Sequence, residues 1–263
     1  ADGKWFPVDA YIGGAEHAVL HLLYSRFVTM ALKDWGMLPF EEPFPYLFGH
    51  GLIIKDGAKM SKSKGNVVNP DEYIEKYGAD ALRTYLMFLG PYDQGGDFRD
   101  TGMNGTYRWL AKVWSAFGSY TPAKVSSSEV SRKLHWAISE NTKEMAQLKY
   151  NTCIARIMEV CNVWREGGAL SLDDAVSLLK LLAPFAPYMT EEIHEQLCLA
   201  HGRALESVHA SGWPQADAAF LHSDVVKLGV QVNGKVRATL EVPSDRVADK
   251  DYVEQSARQL PEL

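Results

Sequence analysis

The sequence predicts an α/β segment, then an all-α helical bundle, then a small α+β C-terminal module. A strand–glycine turn–helix pattern near the start points to the first part. Almost unbroken amphipathic helix from about Asn104 to Leu199 points to the second, and a period-two alternation of apolar residues around Asn233-Gly234 points to the third. With 263 residues, 46% hydrophobic and 23% charged, the composition is that of a globular protein with one large domain or two smaller ones.

The elements follow in order. Residues 15–33, AEHAVLHLLYSRFVTMALK, place Val19, Leu22, Leu23, Phe27, Met30 and Ala31 at helical intervals. Gly13 and Gly14 precede them and lack the Cβ that would keep a ligand or a second strand away from the backbone. Leu52 to Ile54 is a short apolar run suited to a strand, and the loop after it is bounded by Gly57 and Gly65. Asn69 as N-cap, Pro70 at the first helical position and Glu72 three residues past the cap start a helix. Gly78 breaks it, and a second helix runs to about Leu89. Beyond GPYDQGGDFRDTG come long helical periods separated by short polar breaks such as TPAKVSSS and EGGALS, with Ser171 as an N-cap and Pro184 and Pro187 splitting the last helix. The tail alternates Val230, Val232, then Val236, Ala238, Leu240, Val242, a hairpin with a two-residue turn, and ends in one helix. A hairpin and one helix bury little core, so this module is expected to be truncated or docked on the bundle.

The net charge of −6 provides no global basic field, so a polyanion must be met by local clusters. Cys153, Cys161 and Cys198 show no CxxC spacing and sit in helical stretches, as buried thiols of a reducing compartment do. No run approaches ~18 apolar residues and the N-terminus has no signal pattern, so a cytoplasmic protein without membrane association is expected. The chain opens on Ala1 and runs straight into patterned sequence, which suggests a piece of something longer.

Two stretches carry chemistry. KDGAKMSKSKG sets Lys55, Lys59, Lys62 and Lys64 against Asp56 on a glycine- and serine-rich loop. Flexible ammonium groups suit the neutralisation of a polyphosphate while charge shifts from the α-phosphate to departing pyrophosphate. YIGGAEHAVLH places His17 and His21 four apart, which on a helix aligns both rings. A zinc site would need a third ligand and a water position, and Glu16 precedes the first histidine instead of following it as in HExxH, so metal is the weakest reading. Trp109, Trp114, Trp136 and Trp164 recur on apolar helix faces and read as core.

The string KMSKS, Lys59 to Ser63, lying between an apolar strand and GNVVNPDEYIEKYGADALR, resembles the signature region of class I aminoacyl-tRNA synthetases that handle leucine, isoleucine and valine. Within them VDAYIGGAEHAVLHLLYSRF is similar to the bacterial leucyl-tRNA synthetases. LAPFAPYMTEEIHEQL and SVHASGWPQAD resemble their helical anticodon-binding domain, and VQVNGKVRATLEVP the start of their C-terminal domain. The resemblance covers almost the whole chain. It implies the C-terminal half of a Rossmann-like catalytic domain at 1–100, an anticodon-binding-type bundle at 101–222 and the start of a further module at 223–263.

The activity implied is activation of leucine by ATP, with Mg2+ as part of the substrate complex, followed by transfer of leucine to tRNA(Leu), in a monomer with no protein-bound metal. By matched position Lys62 would hold the β- and γ-phosphates with Lys59 beside it, and Met60, Ser61 and Ser63 would complete the ATP loop. Gly13 and Gly14 would lie under adenosine and Glu16 would accept from the ribose hydroxyls. Tyr11, His17 and His21 would line the leucine and adenylate pocket, and His50, Gly51, Leu52 and Ile53 would cradle adenine. Arg108, Lys112, Arg132, Lys133, Lys143 and Arg156 are cations a tRNA backbone could use, though bundle charges are usually a solvated face. The chain also departs from the family pattern. The His-Ile-Gly-His signature is not found, since GHGL at 49–52 is a different motif, and the editing domain and a leucine-specific insertion before the lysine loop are lacking. The expectation is therefore half a site, inactive alone in adenylation, with a non-catalytic tRNA-binding module as the alternative.

Overall fold

The structure is a computed structural model and describes residues 5–221, 225–232, 235–243 and 246–260. The chain divides into two compact units, Ala1–Pro214 and Gln215–Leu263.

The first unit begins with β1 (Tyr11–Gly13), which pairs in parallel with β2 (Leu47–Gly49) in the register Tyr11↔Leu47 and Gly13↔Gly49. A parallel pair needs a crossover, and the segment between them supplies it. Here the structure corrects the expected single helix over residues 15–33. The crossover starts as a 3₁₀ turn at Ala15–His17, widens to a π turn at Ala18–Leu22, and becomes the α-helix α1 only over Leu23–Asp34. Its apolar side chains are not core either: Val19 is 71% exposed and Phe27 68%. Helical spacing marks a face that needs cover, but the described residues do not provide it.

β3 (Leu52–Lys55) turns back through Asp56-Gly57 into β4 (Ala58–Lys59), pairing Ile54↔Lys59 and Lys55↔Ala58. On its other side β3 pairs in parallel with β5 (Gly95–Phe98), from Leu52↔Gly95 to Lys55↔Phe98. The sequence pattern assigns no strand to the glycine-rich stretch around β5. Those glycines are what admit the strand: a Cβ on Gly51 would overlap the backbone of Gln94 and Gly95, and one on Gly95 (φ +76°) would overlap the backbone of Leu52. Between β4 and β5 lie α2 (Pro70–Tyr77) and α3 (Ala79–Phe88). Asn69 caps α2 by accepting from the Asp71 amide at 3.2 Å, and Gly78, at φ +84°, separates the two helices, as expected.

The bundle comprises α4 (Asp100–Gly118), α5 (Ser128–Met145), α6 (Tyr150–Arg165), α7 (Leu172–Leu182) and α8 (Pro187–Ala200). Val113, Leu134, Ile138, Ile157, Leu178 and Leu181 are buried at its centre, where each such side chain contributes about 1.5–3 kcal/mol by leaving water. Ser171 caps α7, accepting from the Asp174 amide, and Pro187 is in the first turn of α8, so the proline pair divides the helix as predicted. Cys153, Cys161 and Cys198 are free and buried. The tryptophans are less buried than expected, with Trp114 43% and Trp136 40% exposed. Trp136 carries Lys133 and Arg156 at 5.4 and 5.3 Å from its ring centroid.

Helix α3 joins this bundle to the sheets. Asp80 accepts from the amides of Tyr188 (3.3 Å) and Met189 (2.7 Å) at the start of α8, and Arg83 and Thr84 donate to the carbonyls of Pro184 (3.1 Å) and Phe185 (3.2 Å) in the α7–α8 break. Between α5 and α6, Arg156 forms two bonds with Glu144, 2.5 and 2.9 Å, while Thr152 donates to the same carboxylate. The Arg156 bonds come first in holding the Glu144 carboxyl at about 2.

In the second unit β6 (Val225–Val232) pairs antiparallel with β7 (Lys235–Pro243), with Val226↔Val242 and Leu228↔Leu240 in register and a shift at Val230/Gln231. The predicted turn residues Asn233 and Gly234 lie outside the described residues. Leu240 and Val242 are buried, and α9 (Lys250–Arg258) is capped by Asp249, which accepts from the Tyr252 amide at 3.1 Å. Among the described residues no helix is long and apolar enough to cross a membrane.

Two outcomes follow from this packing. Asp80→Ala strips the α8 amides of their acceptor and is expected to cost about 1–2 kcal/mol in urea unfolding, with Asp80→Asn costing less. Because the folded Glu144 carboxyl lies at about 2 against an ordinary 4.5, its stabilisation is full above pH 4.5 and lost as pH falls toward 2. Glu144→Gln should therefore flatten the fall in unfolding midpoint over that window.

Candidate active site

The carboxyl ends of β1 and β2 meet the first turn of the crossover, and most of the predicted site residues gather here. Tyr11 packs its ring 4.3 Å from Phe44 and 5.4 Å from His21; His21 lies 5.8 Å from Phe44 and meets His17 edge-on at 6.3 Å. The rings form one aromatic wall. Among the described residues no group of three or more His, Cys, Asp or Glu is arranged to hold a metal ion.

Gly14 leaves room for a neighbouring acid. The carboxylate of Glu16 folds back so closely over it that a Cβ there would overlap the acid's oxygens. Its own backbone N–H comes first in holding the Glu16 carboxyl below its ordinary range, and electrostatic interaction with His17, Lys59 and His50 adds to this. The β1 turn, the β2–β3 junction and the lysine loop each supply a group that lowers this exposed carboxyl.

His50 continues the strand pairing, its amide donating to Gly13 O at 3.0 Å, and Gly51 N donates to Tyr92 O at 2.9 Å. The His50 imidazole sits 2.8 Å from Gly51 O through Nδ1. His50, Gly51, Leu52 and Ile53 line a cavity of about 360 Å³ closed by Leu86, Gly90 and Tyr92. Tyr92 stacks on Phe48 at 5.8 Å.

The lysine loop leaves β4 at Lys59. Met60 and Ser61 are half-buried, and Lys62, Ser63 and Lys64 form an exposed 3₁₀ turn. Ser61 Oγ caps that turn by accepting from Lys64 N at 3.3 Å and lies 3.2 Å from Ser63 Oγ, and Gly65 (φ +65°) ends it. Asn66 closes the neck of the loop. Its Oδ1 accepts from Ser61 N at 2.9 Å, and its Nδ2 reaches Lys55 O, Ala58 O and Lys59 O at 3.4–3.5 Å. Lys59 and Lys62 form no ion pair with other described residues, which leaves both ammonium groups available to a ligand.

The structure thus brings Gly13, Gly14, Glu16, His17, His50 and Lys59 together, joins Tyr11 and His21 to them through ring contacts, and holds Lys62 and Ser63 outward on the tip. Phe44, Asn66 and Tyr92 escaped sequence reasoning. Phe44 sits between two prolines in a stretch with no period, while Asn66, a polar residue between Gly65 and Val67-Val68, was the most detectable. Of the bundle cations, Arg156, Lys133 and Lys143 are paired with Glu144, Glu159 and Glu140, whereas Lys112 and Arg132 make no ion pair among the described residues.

A parallel strand pair joined by a crossover, a cavity at the strand ends, a cationic loop on a neighbouring sheet and a helical bundle following are the fold of a class I tRNA synthetase catalytic segment with its anticodon-binding part. Residues 2–98 match the family described as tRNA synthetases class I (I, L, M and V), and residues 175–252 match the anticodon-binding domain of tRNA ligase. Over almost its whole length the chain is homologous to part of the leucine–tRNA ligases. It is 43% identical to a leucine–tRNA ligase of Dehalococcoides mccartyi over 98% of this chain and 33% of that protein, and 43% identical to that of Thermotoga maritima over 94% and 32%. Among solved structures, the LeuRS–tRNA–LeuAMS ternary complex of Agrobacterium radiobacter K84 agnB2 aligns with TM-score 0.73 and 33% identity, over 97% of this chain and 35% of that one. The chain spans about a third of the length of the relatives it matches.

Asn66→Ala should free the Ser61 amide. With one net hydrogen bond at about 1 kcal/mol, hydrogen exchange at Ser61 is expected to quicken five- to tenfold, while amides in α6 keep their protection.

Proposed function

We propose that this chain is the lysine-loop half of a leucine-activating site together with its tRNA-binding helical part, in an enzyme that forms leucyl-adenylate and passes leucine to tRNA(Leu). The domain limits that go with this reading are 1–100, 101–222 and 223–263. In the first reaction a leucine carboxylate oxygen attacks the α-phosphorus of ATP and the bond to the bridging oxygen breaks, releasing pyrophosphate. In the second a hydroxyl of the terminal adenosine of tRNA attacks the leucyl carbonyl and AMP leaves. ATP enters with Mg2+, which offsets phosphate charge.

The single observation that carries this reading is the strand junction where the His50 amide donates to Gly13 O and the Glu16 carboxylate folds over Gly14, with Lys59 near enough to lower that carboxyl. A carboxylate beside bare backbone suits a ribose with its two hydroxyls, and the lysine beside it suits the attached phosphates. Lys62 acts from the loop tip as charge builds on departing pyrophosphate, with Lys59 next to it and Met60, Ser61 and Ser63 shaping the turn. Tyr11, His17 and His21 face leucine, and the strand end His50–Ile53 holds adenine through backbone groups.

The uncovered apolar face of α1 and the sheet edge beside it suits a seam with the rest of the catalytic domain. Val19, Leu20, Leu23, Phe27 and Trp35 are each more than half exposed along it. The chain alone is accordingly expected to bind tRNA in a salt-dependent way and to give no leucine-dependent ATP–pyrophosphate exchange.

In the full-length enzyme Lys62→Ala is expected to lower the exchange rate by ~10²-fold or more with leucine binding largely unchanged, because the charge acts mainly in the transition state. An unaltered exchange rate would sink the assignment of Lys62.

A further inference from the structure

We propose that Asp97 is a positioning residue for the lysine loop: from β5 it clasps the β3–β4 turn and so sets where Lys59 and Lys62 stand. The inference rests on the reading that these lysines meet the phosphates of ATP.

The turn it holds is tight. Asp56 (φ +54°) and Gly57 (φ +72°) both adopt the left-handed region, as a two-residue hairpin turn of this hand requires. The hairpin below them is short, only Ile54↔Lys59 and Lys55↔Ala58, and two such rungs are a weak hold in water. The turn therefore needs an outside anchor, and it has one. Asp97 Oδ1 accepts from Gly57 N at 3.4 Å, with the Asp56 amide also turned toward the carboxylate. The other oxygen, Oδ2, accepts from Arg99 Nε at 3.0 Å.

The strand that carries Asp97 is rigid. Next to it Phe98 is 1% exposed and packs edge-on against Tyr73 and Tyr85 at 5.0 and 5.1 Å. Tyr85 also grips Arg99 from both sides, its hydroxyl accepting from Arg99 N at 2.7 Å and donating to Arg99 O at 3.0 Å. A strand pinned this way makes Asp97 a fixed point for the turn, which otherwise has only the two rungs of its own hairpin. Lys59 lies two residues beyond Gly57 and Lys62 three further, so rocking at the turn moves both lysines. Asn66 braces the neck of the same loop, so the base is held at two points below the exposed tip.

A plainer role for Asp97 is pairing with Arg99 alone. In that pair the Arg99 side chain is 71% accessible against 23% for Asp97, and a pair with one partner so solvated holds little together. The two roles separate by experiment. Native-state trypsin digestion of the chain, followed by mass spectrometry, reads cleavage after Lys55, Lys59, Lys62 and Lys64. Asp97→Ala is expected to speed cleavage in this loop about five- to tenfold, one net hydrogen bond or slightly more, with cleavage in the bundle unchanged. Asp97→Asn keeps an oxygen that can accept from Gly57, so it should recover most of the protection, and Arg99→Ala should raise cleavage less than twofold.

In the full-length enzyme Asp97→Ala should lower kcat for leucine-dependent exchange by a similar factor at unchanged KM for leucine, with Asp97→Asn rescuing it. Loop cleavage equal to wild type, faster cleavage throughout the chain, or Arg99→Ala matching Asp97→Ala overturns the proposal. So does normal exchange in Asp97→Ala where Lys62→Ala abolishes exchange. If Lys62→Ala leaves exchange intact, it is the ATP reading that fails, and the trypsin result still decides the clasp.

Discussion

A helix that begins inside a protein must find acceptors for its first amides, and a chain that breaks between two helices must find donors for its stranded carbonyls. At the α7–α8 break helix α3 supplies both. Asp80 takes the amides of Tyr188 and Met189, while Arg83 and Thr84 give to Pro184 and Phe185. The opposite side of α3 presents Tyr85 to Phe98 and to the backbone of Arg99. One helix of ten residues thus satisfies the bundle on one side and fixes β5 on the other, and the parallel pairing of β5 with β3 carries that position to the lysine loop. The prolines that split the bundle's last helix create the unsatisfied groups that make this junction specific.

The site itself works by restraint. The chain has a net charge of −6, yet at one place Lys59, His50 and His17 all act electrostatically on the Glu16 carboxyl to lower it. Glycine makes the surroundings possible, because Gly14 gives Glu16 room to fold back and Gly51 and Gly95 let backbones touch where side chains would hold them apart. Hydrogen bonds from Asn66 and Ser61 shape the loop, and among the described residues its lysines form no direct ion pair.

Much of this was legible in the sequence wherever the determining physics is local. Asn69 with Pro70, Ser171 and Pro187 mark helix starts because the cap and the capped amide are neighbours, and the bundle was legible because its apolar period repeats over many turns. The lysine loop was legible because its residues act at fixed spacing. β5 was hidden, since the glycines that allow close strand contact are the same residues that mark turns. The crossover was misread as one α-helix because apolar spacing cannot distinguish a π turn from an α turn over five residues. The exposure of its face follows from what packs on it, which the residues of the helix do not encode. Asn66 and Phe44 were overlooked because their partners become neighbours only after folding.

The bundle's thiols have a practical consequence. Cys153, Cys161 and Cys198 are the chain's only cysteines and all are buried, and burial pushes the Cys153 and Cys161 thiols up to about 11 and about 12. Thiolate is the reactive form, so the native fold is nearly silent toward maleimides and disulfide reagents. A cysteine placed at exposed Ser63 would be the one fast-reacting thiol, and a fluorophore or spin label there would report the motion of the lysine loop without first removing any natural cysteine.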